Sequence, residues 1–278
     1  MHHLRRAGAA LLLLTGIAAT APASAADFRI AVEPAYPVEQ AQEVYKPLID
    51  YLAASTGHTF ELVVARNYHF HWHDLRQNTP VDFAFEEAHF VDYRATHQQF
   101  EPLVRTAEPT SYSLLAQPDF ESGGLKGLIG RPVACMPAPS LGFALLTELY
   151  DNPVAQPDIR SEAASWQSGV EMVFGGEADG AMVPSRLAEL YPNLVILQRS
   201  RDFPGRAFSA APGVDAAVKQ AVKDALLKLH EDTDAYPVLA ELGASRFEPA
   251  TRAEYVGQED MLKGFFGYVE ATRPEASR

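Results

Sequence analysis

The chain has a single cysteine, Cys135, so no intramolecular disulfide can form, even in a compartment that would oxidise one. Its 278 residues, 47% of them hydrophobic, must therefore be held by packing, and that is enough chain for one large lobe or two medium ones. Basic residues are also scarce: 23 Lys and Arg stand against 36 Asp and Glu, for a net charge of −13. This shortage excludes nucleic acid and anionic membrane as partners, since both need basic patches. No segment beyond the N-terminal region reads as transmembrane, so no membrane insertion is expected. The chain also lacks a Gly-x-Ser-x-Gly elbow, a phosphate-cradling glycine loop and a His-Glu-x-x-His helix. It reads as a binding protein and not as an enzyme.

The first residues, MHHLRRAGAALLLLTGIAATAPASAADF, supply an export signal. Arg5 and Arg6 open it, Ala7 to Ala19 is an apolar run shorter than the ~20 residues of a membrane span, and Ala23-Ser24-Ala25 is a small-residue cleavage site. Residues 1–25 are expected to be removed, leaving a periplasmic protein. Loss of Arg5 and Arg6, with no acid removed, takes the charge from −13 to −15.

Strand and helix patterns alternate after that. Phe28 to Val32, Phe60 to Ala65 and Val81 to Phe85 read as strands. Residues 38–56 carry Val44, Leu48, Tyr51 and Leu52 at helical spacing and stop at Gly57. A short helix runs through the histidines near 70, and another from Glu87 to Thr96. The pattern restarts after Gly123-Gly124, with strands at Pro132 to Met136, Gly180 to Val183 and Leu194 to Leu197, and helices at 141–150, 165–174 and 215–230. Such alternation predicts an α/β fold of two lobes with largely parallel sheets and a cleft between them. The expected layout is lobe 1 from 26 to 115, lobe 2 from 116 to 205, a return to lobe 1 with C-terminal helices from 206 to 272, and a disordered tail from Arg273.

Residues 67–74 read NYHFHWHD, which places three of the chain's nine histidines within five residues. Neutral imidazole is the commonest protein ligand for zinc, copper and iron. On a helix, His69 and His73 share a face and His71 points elsewhere; in an extended segment all three share one face. The other reading leaves the histidines in solvent while Tyr68, Phe70 and Trp72 fill the core. Glu86, Glu87 and His89 follow the third strand and could complete a metal site, although acids in a first helical turn also suit the helix dipole. Cys135 and Met136 end a second-lobe strand, and Met136 could add a soft ligand. Tyr36, Tyr68, Tyr112 and Ser140 are candidates to line the cleft, Tyr112 from the segment crossing between lobes and Ser140 from a helix start where it could serve only as a cap. Asp179 is expected to fix the start of a strand, and Met172 and Met182 to sit in the core.

Several stretches, FRIAVEP, YKPLIDYLAASTGHTFELVVARNY, VDFAF, GLIGRPVACMPAPSLGFAL, GGEADGAMV and LGASRFEPATRAEY, run over nearly the whole mature chain. Together they resemble the phosphate/phosphite/phosphonate periplasmic binding proteins of ABC importers. The resemblance implies the type II periplasmic-binding fold, closing by a hinge around a small inorganic ligand, and a permease as partner. It also implies anion-binding positions that are changed here. The family's Gly-Pro-x-Ser-Tyr turn is replaced by Glu86-Glu87-Ala88-His89-Phe90. Its Ser-Thr-Ser cradle becomes Ala138-Pro139-Ser140-Leu141-Gly142, and a histidine expected before the next helix is replaced near Ser165-Trp166-Gln167. At 4 Å each unit-charge pair costs about 4 kcal/mol at an effective dielectric of 20, more than one serine hydroxyl returns to an anion. The expected function is thus capture of a transition metal, copper before iron or zinc, by a monomer that serves an ABC permease or acts as a metal chaperone. The alternatives are retention of a phosphate- or phosphonate-type oxyanion, and a ligand sensor docking on a membrane receptor.

Overall fold

The computed structural model describes residues 27–234 and 236–271. The expected export signal and the tail from Arg273 lie outside the described residues.

The first lobe opens as its apolar spacing requires. Strand β1 (Asp27–Val32) leads to helix α1 (Val38–Thr56), whose Ala41, Tyr45, Leu48 and Leu52 are buried on one face. Gly57 ends this helix in the left-handed conformation, φ 73°, where its N–H closes on the Ala53 carbonyl, a helix stop that glycine makes at no steric cost. Then come β2 (Thr59–Val64), α2 (Tyr68–Arg76), β3 (Phe83–Glu86), α3 (Ala88–His97) and β4 (Glu101–Thr106). The chain crosses at residues 107–111 into the second lobe. There β5 (Tyr112–Ala116), α4 (Gly124–Gly127), β6 (Pro132–Ala134), α5 (Leu141–Leu149), β7 (Asp158–Arg160), α6 (Trp166–Phe174), β8 (Gly180–Pro184), α7 (Ser185–Ala188) and β9 (Val195–Arg199) follow. A second crossing at residues 200–206 returns the chain to the first lobe through β10 (Ala207–Ala210), α8 (Ala216–Lys228), α9 (Tyr236–Leu242) and β11 (Phe247–Pro249).

Two sheets result, a six-stranded one in the order β11-β4-β10-β3-β1-β2 and a five-stranded one in the order β7-β6-β8-β5-β9. The sheets are mixed, which corrects the largely parallel expectation. β1 pairs parallel with β2 and β3, but β10 runs antiparallel to β3 and β4; likewise β6 pairs parallel with β7 and β8, while β5 runs antiparallel to β8 and β9. The antiparallel strands β5 and β10 are the two that leave the crossings, and a strand entering a sheet from the other lobe has no helical crossover to reverse it. The lobe boundary also shifts. Residues 112–116 belong to the second sheet, so the first part of lobe 1 ends before Ser111 and not at 115.

One apolar cluster joins the lobes: Tyr68 and Phe90 from the first pack together with Tyr112, Leu114, Leu141 and Trp166 from the second. A separate cluster of Ile30, Val32, Tyr45, Phe83, Phe85 and Phe208 fills the first lobe. The two lobes are thus in direct contact through a shared apolar cluster. Among the described residues, no helix is long and apolar enough to cross a membrane.

Candidate functional site

The histidine trio is split by helix geometry. Asn67 caps α2 by accepting the N–H groups of His69 and Phe70, and this fixes which way each ring points. His69 and His73 are exposed, with His73 Nδ1 3.3 Å from Asp74 Oδ1. His71, between them, is buried on the opposite face. Its Nε2 lies 3.0 Å from Glu86 Oε1, within ion-pair reach but poorly aligned for a hydrogen bond.

Glu86 also turns into the first lobe. Arg94 grips it through two donors, Nε at 2.7 Å and Nη2 at 2.9 Å. Burial would raise this carboxyl, but the Arg94 charge and His71 outweigh that effect and hold it at about 2. Glu86 is therefore spent on an internal ion pair. Met136 is buried in the joint cluster, and its carbonyl accepts from Ser140 Oγ at 3.3 Å. That hydroxyl also receives the Phe143 N–H at 3.2 Å, so Ser140 caps α5 and offers no free donor to a ligand. Burial raises the Cys135 thiol, which behaves as a small hydrophobe. Among the described residues no three His, Cys, Asp or Glu side chains come together in a way that could hold a metal ion. The expected set of His69, His71, His73, Glu86, Glu87, His89 and Met136 is dispersed over a helix surface, an internal ion pair and a packed core.

Two members of that set do reach the other lobe. Glu87, one residue after Glu86 and on the opposite side of the chain, sits at the N-cap of α3, where its Oε1 accepts the Tyr112 hydroxyl at 2.8 Å across the seam. His89 donates Nε2–H to the Pro139 carbonyl at 3.2 Å, also across the seam. Burial holds the His89 ring neutral by lowering it to about 3, and its Nδ1 has no partner among the described residues.

Glu33, absent from the expected site, completes the seam. It follows β1 directly, at the carboxyl end where open α/β sheets bind ligands, and that position was its only signal in the sequence. Its Oε2 accepts the Tyr68 hydroxyl at 3.0 Å, and its Oε1 accepts the Glu87 N–H. Both glutamates are only 6% exposed. Burial, then the charge of Glu87, pushes Glu33 well above the usual carboxylate value, and burial also raises Glu87. The Tyr112 hydrogen bond and the charges of Arg206 and Arg186 oppose the rise at Glu87.

Glu87 Oε2 is buried and has no hydrogen-bond partner among the described residues. Half-buried Arg206 donates Nη2 to the Leu242 carbonyl and lies over the Phe85 ring, while Arg186 from the second lobe lies against Gly243. Trp166 meets Tyr112 edge-on at 5.2 Å between centroids and Tyr68 at 6.3 Å. Gly142 lets it approach α5: a Cβ there would stand 2.9 Å from Trp166 and 3.0 Å from Tyr112. Of the other cleft candidates, Tyr68 and Tyr112 are at the seam, and Tyr36 donates to the Glu241 carbonyl at 3.4 Å within the first lobe. Asp179 pairs with Arg131 at 2.9 Å beside the start of β8.

Two mixed α/β lobes, crossed twice by the chain and meeting through buried polar groups, define a bilobed solute-binding protein of the type II periplasmic fold. The family model for phosphonate periplasmic substrate-binding proteins of ABC transporters matches residues 30–255, and the chain belongs to that family. Its fold is similar to that of PhnD1 from Prochlorococcus marinus in complex with methylphosphonate: TM-score 0.71, 13% identity, 84% of this chain and 96% of that one. A binding-protein component of an ABC phosphonate transporter from Pseudomonas aeruginosa gives a TM-score of 0.69 at 15% identity, over 86% of each chain. An ATP-bound protein from Xanthomonas citri gives 0.64 at 17% identity, over 84% and 95%. No curated protein sequence matches the chain.

Proposed function

We propose that this chain is the solute-capturing component of a phosphonate-type ABC importer, and that its solute carries a positively charged nitrogen beside its anionic group. The periplasmic importer role is supported by the family match over residues 30–255. The nitrogen is argued from one observation, the buried and partnerless Glu87 Oε2 at the seam. A buried carboxylate that lacks part of its partners is costly, and a cation delivered by the ligand offsets that cost through its charge. The anionic end is left to Arg186 and Arg206, whose charges already act on Glu87. Because Ser140 is occupied as a cap, a bare oxyanion finds fewer donors here than one with a cationic tail. The copper, iron or zinc reading loses its support with the dispersal of its ligands.

Calorimetry with 2-aminoethylphosphonate, ethylphosphonate, inorganic phosphate and copper, zinc and iron salts tests this. The aminophosphonate should bind at least tenfold tighter than ethylphosphonate, and Glu87→Gln should remove most of that difference. A charge-assisted hydrogen bond of about 1.5–3 kcal/mol corresponds to about 10- to 150-fold. Equal affinity for the two phosphonates, or tight stoichiometric metal uptake with indifference to both, would overturn the proposal.

A further inference from the structure

The seam shows what kind of nitrogen it suits. Four carboxylate oxygens meet there, and three are engaged: Glu33 Oε1 by the Glu87 N–H, Glu33 Oε2 by the Tyr68 hydroxyl, and Glu87 Oε1 by the Tyr112 hydroxyl. Glu87 Oε2 is the open one. A primary ammonium brings three N–H donors into this buried place, each needing an aligned acceptor, and Glu87 Oε2 is the one carboxylate oxygen there without a partner. A quaternary ammonium brings none. It needs a negative charge nearby and aromatic faces around its methyl groups, which attract a cation through their ring quadrupoles.

Both are present. The rings of Tyr68, Tyr112 and Trp166 converge from three elements and two lobes, with Trp166 in contact with both of the others. All three residues are buried, and Trp166 is 8% exposed. The rings pack on one another, and Gly142, which has no Cβ, lets the indole lie against the first turn of α5. A methylated ammonium inserted among them would exchange ring–ring contact for ring–cation contact beside the Glu87 carboxylate.

We infer that the cationic group of the solute is a quaternary, methylated ammonium held by Tyr68, Tyr112 and Trp166 against Glu87, with Trp166 as the residue that sets this preference. The inference rests on the reading of Glu87 as the partner of a ligand cation, and it names the class of that cation.

The test is calorimetry on the full chain with three probes of one length: 2-aminoethylphosphonate, its N,N,N-trimethyl derivative, and 3,3-dimethylbutylphosphonate, in which carbon replaces the quaternary nitrogen. The trimethyl probe should bind at least tenfold tighter than either of the others. Trp166→Ala should bring the trimethyl and primary probes to within about threefold, whereas Trp166→Phe, which keeps a ring, should retain most of the preference. A wild-type chain that binds the primary amine as well as or better than the trimethyl probe overturns the inference and leaves the cationic reading of Glu87 intact. If the neutral isostere equals both amines, or none of the three binds, the cationic reading itself fails and the inference falls with it.

Discussion

Arg94→Met isolates what the Glu86 carboxylate is for. Wild-type Arg94 gives Glu86 two charge-assisted hydrogen bonds in the first lobe, at 2.7 and 2.9 Å, and both side chains are almost fully buried. Removing one partner of a buried pair leaves an uncompensated charge, at a cost of about 3–5 kcal/mol. A second route gives a similar size. Glu86 is held at about 2 against 4.5, and at about 1.4 kcal/mol per unit that is about 3 kcal/mol of stability at neutral pH. The carboxyl is lowered in the folded state, so this contribution is fully present above 4.5 and is lost as pH falls from there through 2. For a chain of this size, about 4 kcal/mol corresponds to a fall in Tm of about 8–16 °C. Circular dichroism melts at pH 7 and pH 3 should show a large deficit at the first and a smaller one at the second. A second variant, Arg94→Met with Glu86→Leu, should recover at least half of the loss, because an apolar pair removes the stranded charge. Ligand affinity measured well below the melting point should change less than threefold in both variants, since Glu86 faces away from the seam. A Tm fall below 2 °C would refute the energetics. A tenfold loss of binding in folded Arg94→Met would return Glu86 to the ligand site.

Two further outcomes follow from the same groups. Glu33 and Glu87 are both raised by burial, so a ligand cation must displace protons from them at low pH; affinity for the non-titrating trimethyl probe should climb as pH rises above 4.5 and level off once both are ionised. The neutral isostere shares the phosphonate's own titration and serves as baseline, so parallel pH profiles for the two probes by calorimetry would count against the carboxylate pair. Replacing His69 and His73 together by Ala should shift stability by less than about 1 kcal/mol and binding by less than twofold, as expected of exposed positions. A tenfold loss in calorimetry would tie the helix surface to the cleft.

Much of the fold was legible because local rules and burial agreed. The spacing of Leu48 and Leu52 and the stop at Gly57 placed α1, and the apolar runs placed β1, β2 and β8. The strands β4, β5 and β10 were missed. Ala207–Ala210 is four residues buried on both faces, and its antiparallel pairing depends on a return from the other lobe that no local pattern encodes. The site was half visible. Tyr68, Tyr112, Glu87 and His89 stood out as polar or aromatic residues near strand ends, and they do meet at the seam. Glu86 was misassigned because side chains alternate along an extended chain, and only the position of Arg94 two turns later reveals which of the two adjacent acids is neutralised. The histidine cluster misled for a related reason: three like residues at spacing two cannot share one face of a helix, and the Asn67 cap commits this stretch to helix. Trp166 was marked only as standing where the resemblance implies a histidine, Arg206 carried no motif, and the contacts of both come from tertiary approach.

The double crossing of the chain orders the birth of the site. Strand β3, which delivers Glu87, is bounded on one side by β1 within the first hundred residues, but its other neighbour is β10, which arrives only at Ala207–Ala210. The second lobe is contiguous from 112 to 199 and can assemble as soon as it is available, while the first waits for both ends of the chain to meet. A chain cut short before residue 207 would carry β3 as an open edge, free to pair with another copy. The seam around Glu87 thus depends on a stretch of chain far downstream, because the strand before Glu87 gains its second neighbour only at Ala207–Ala210.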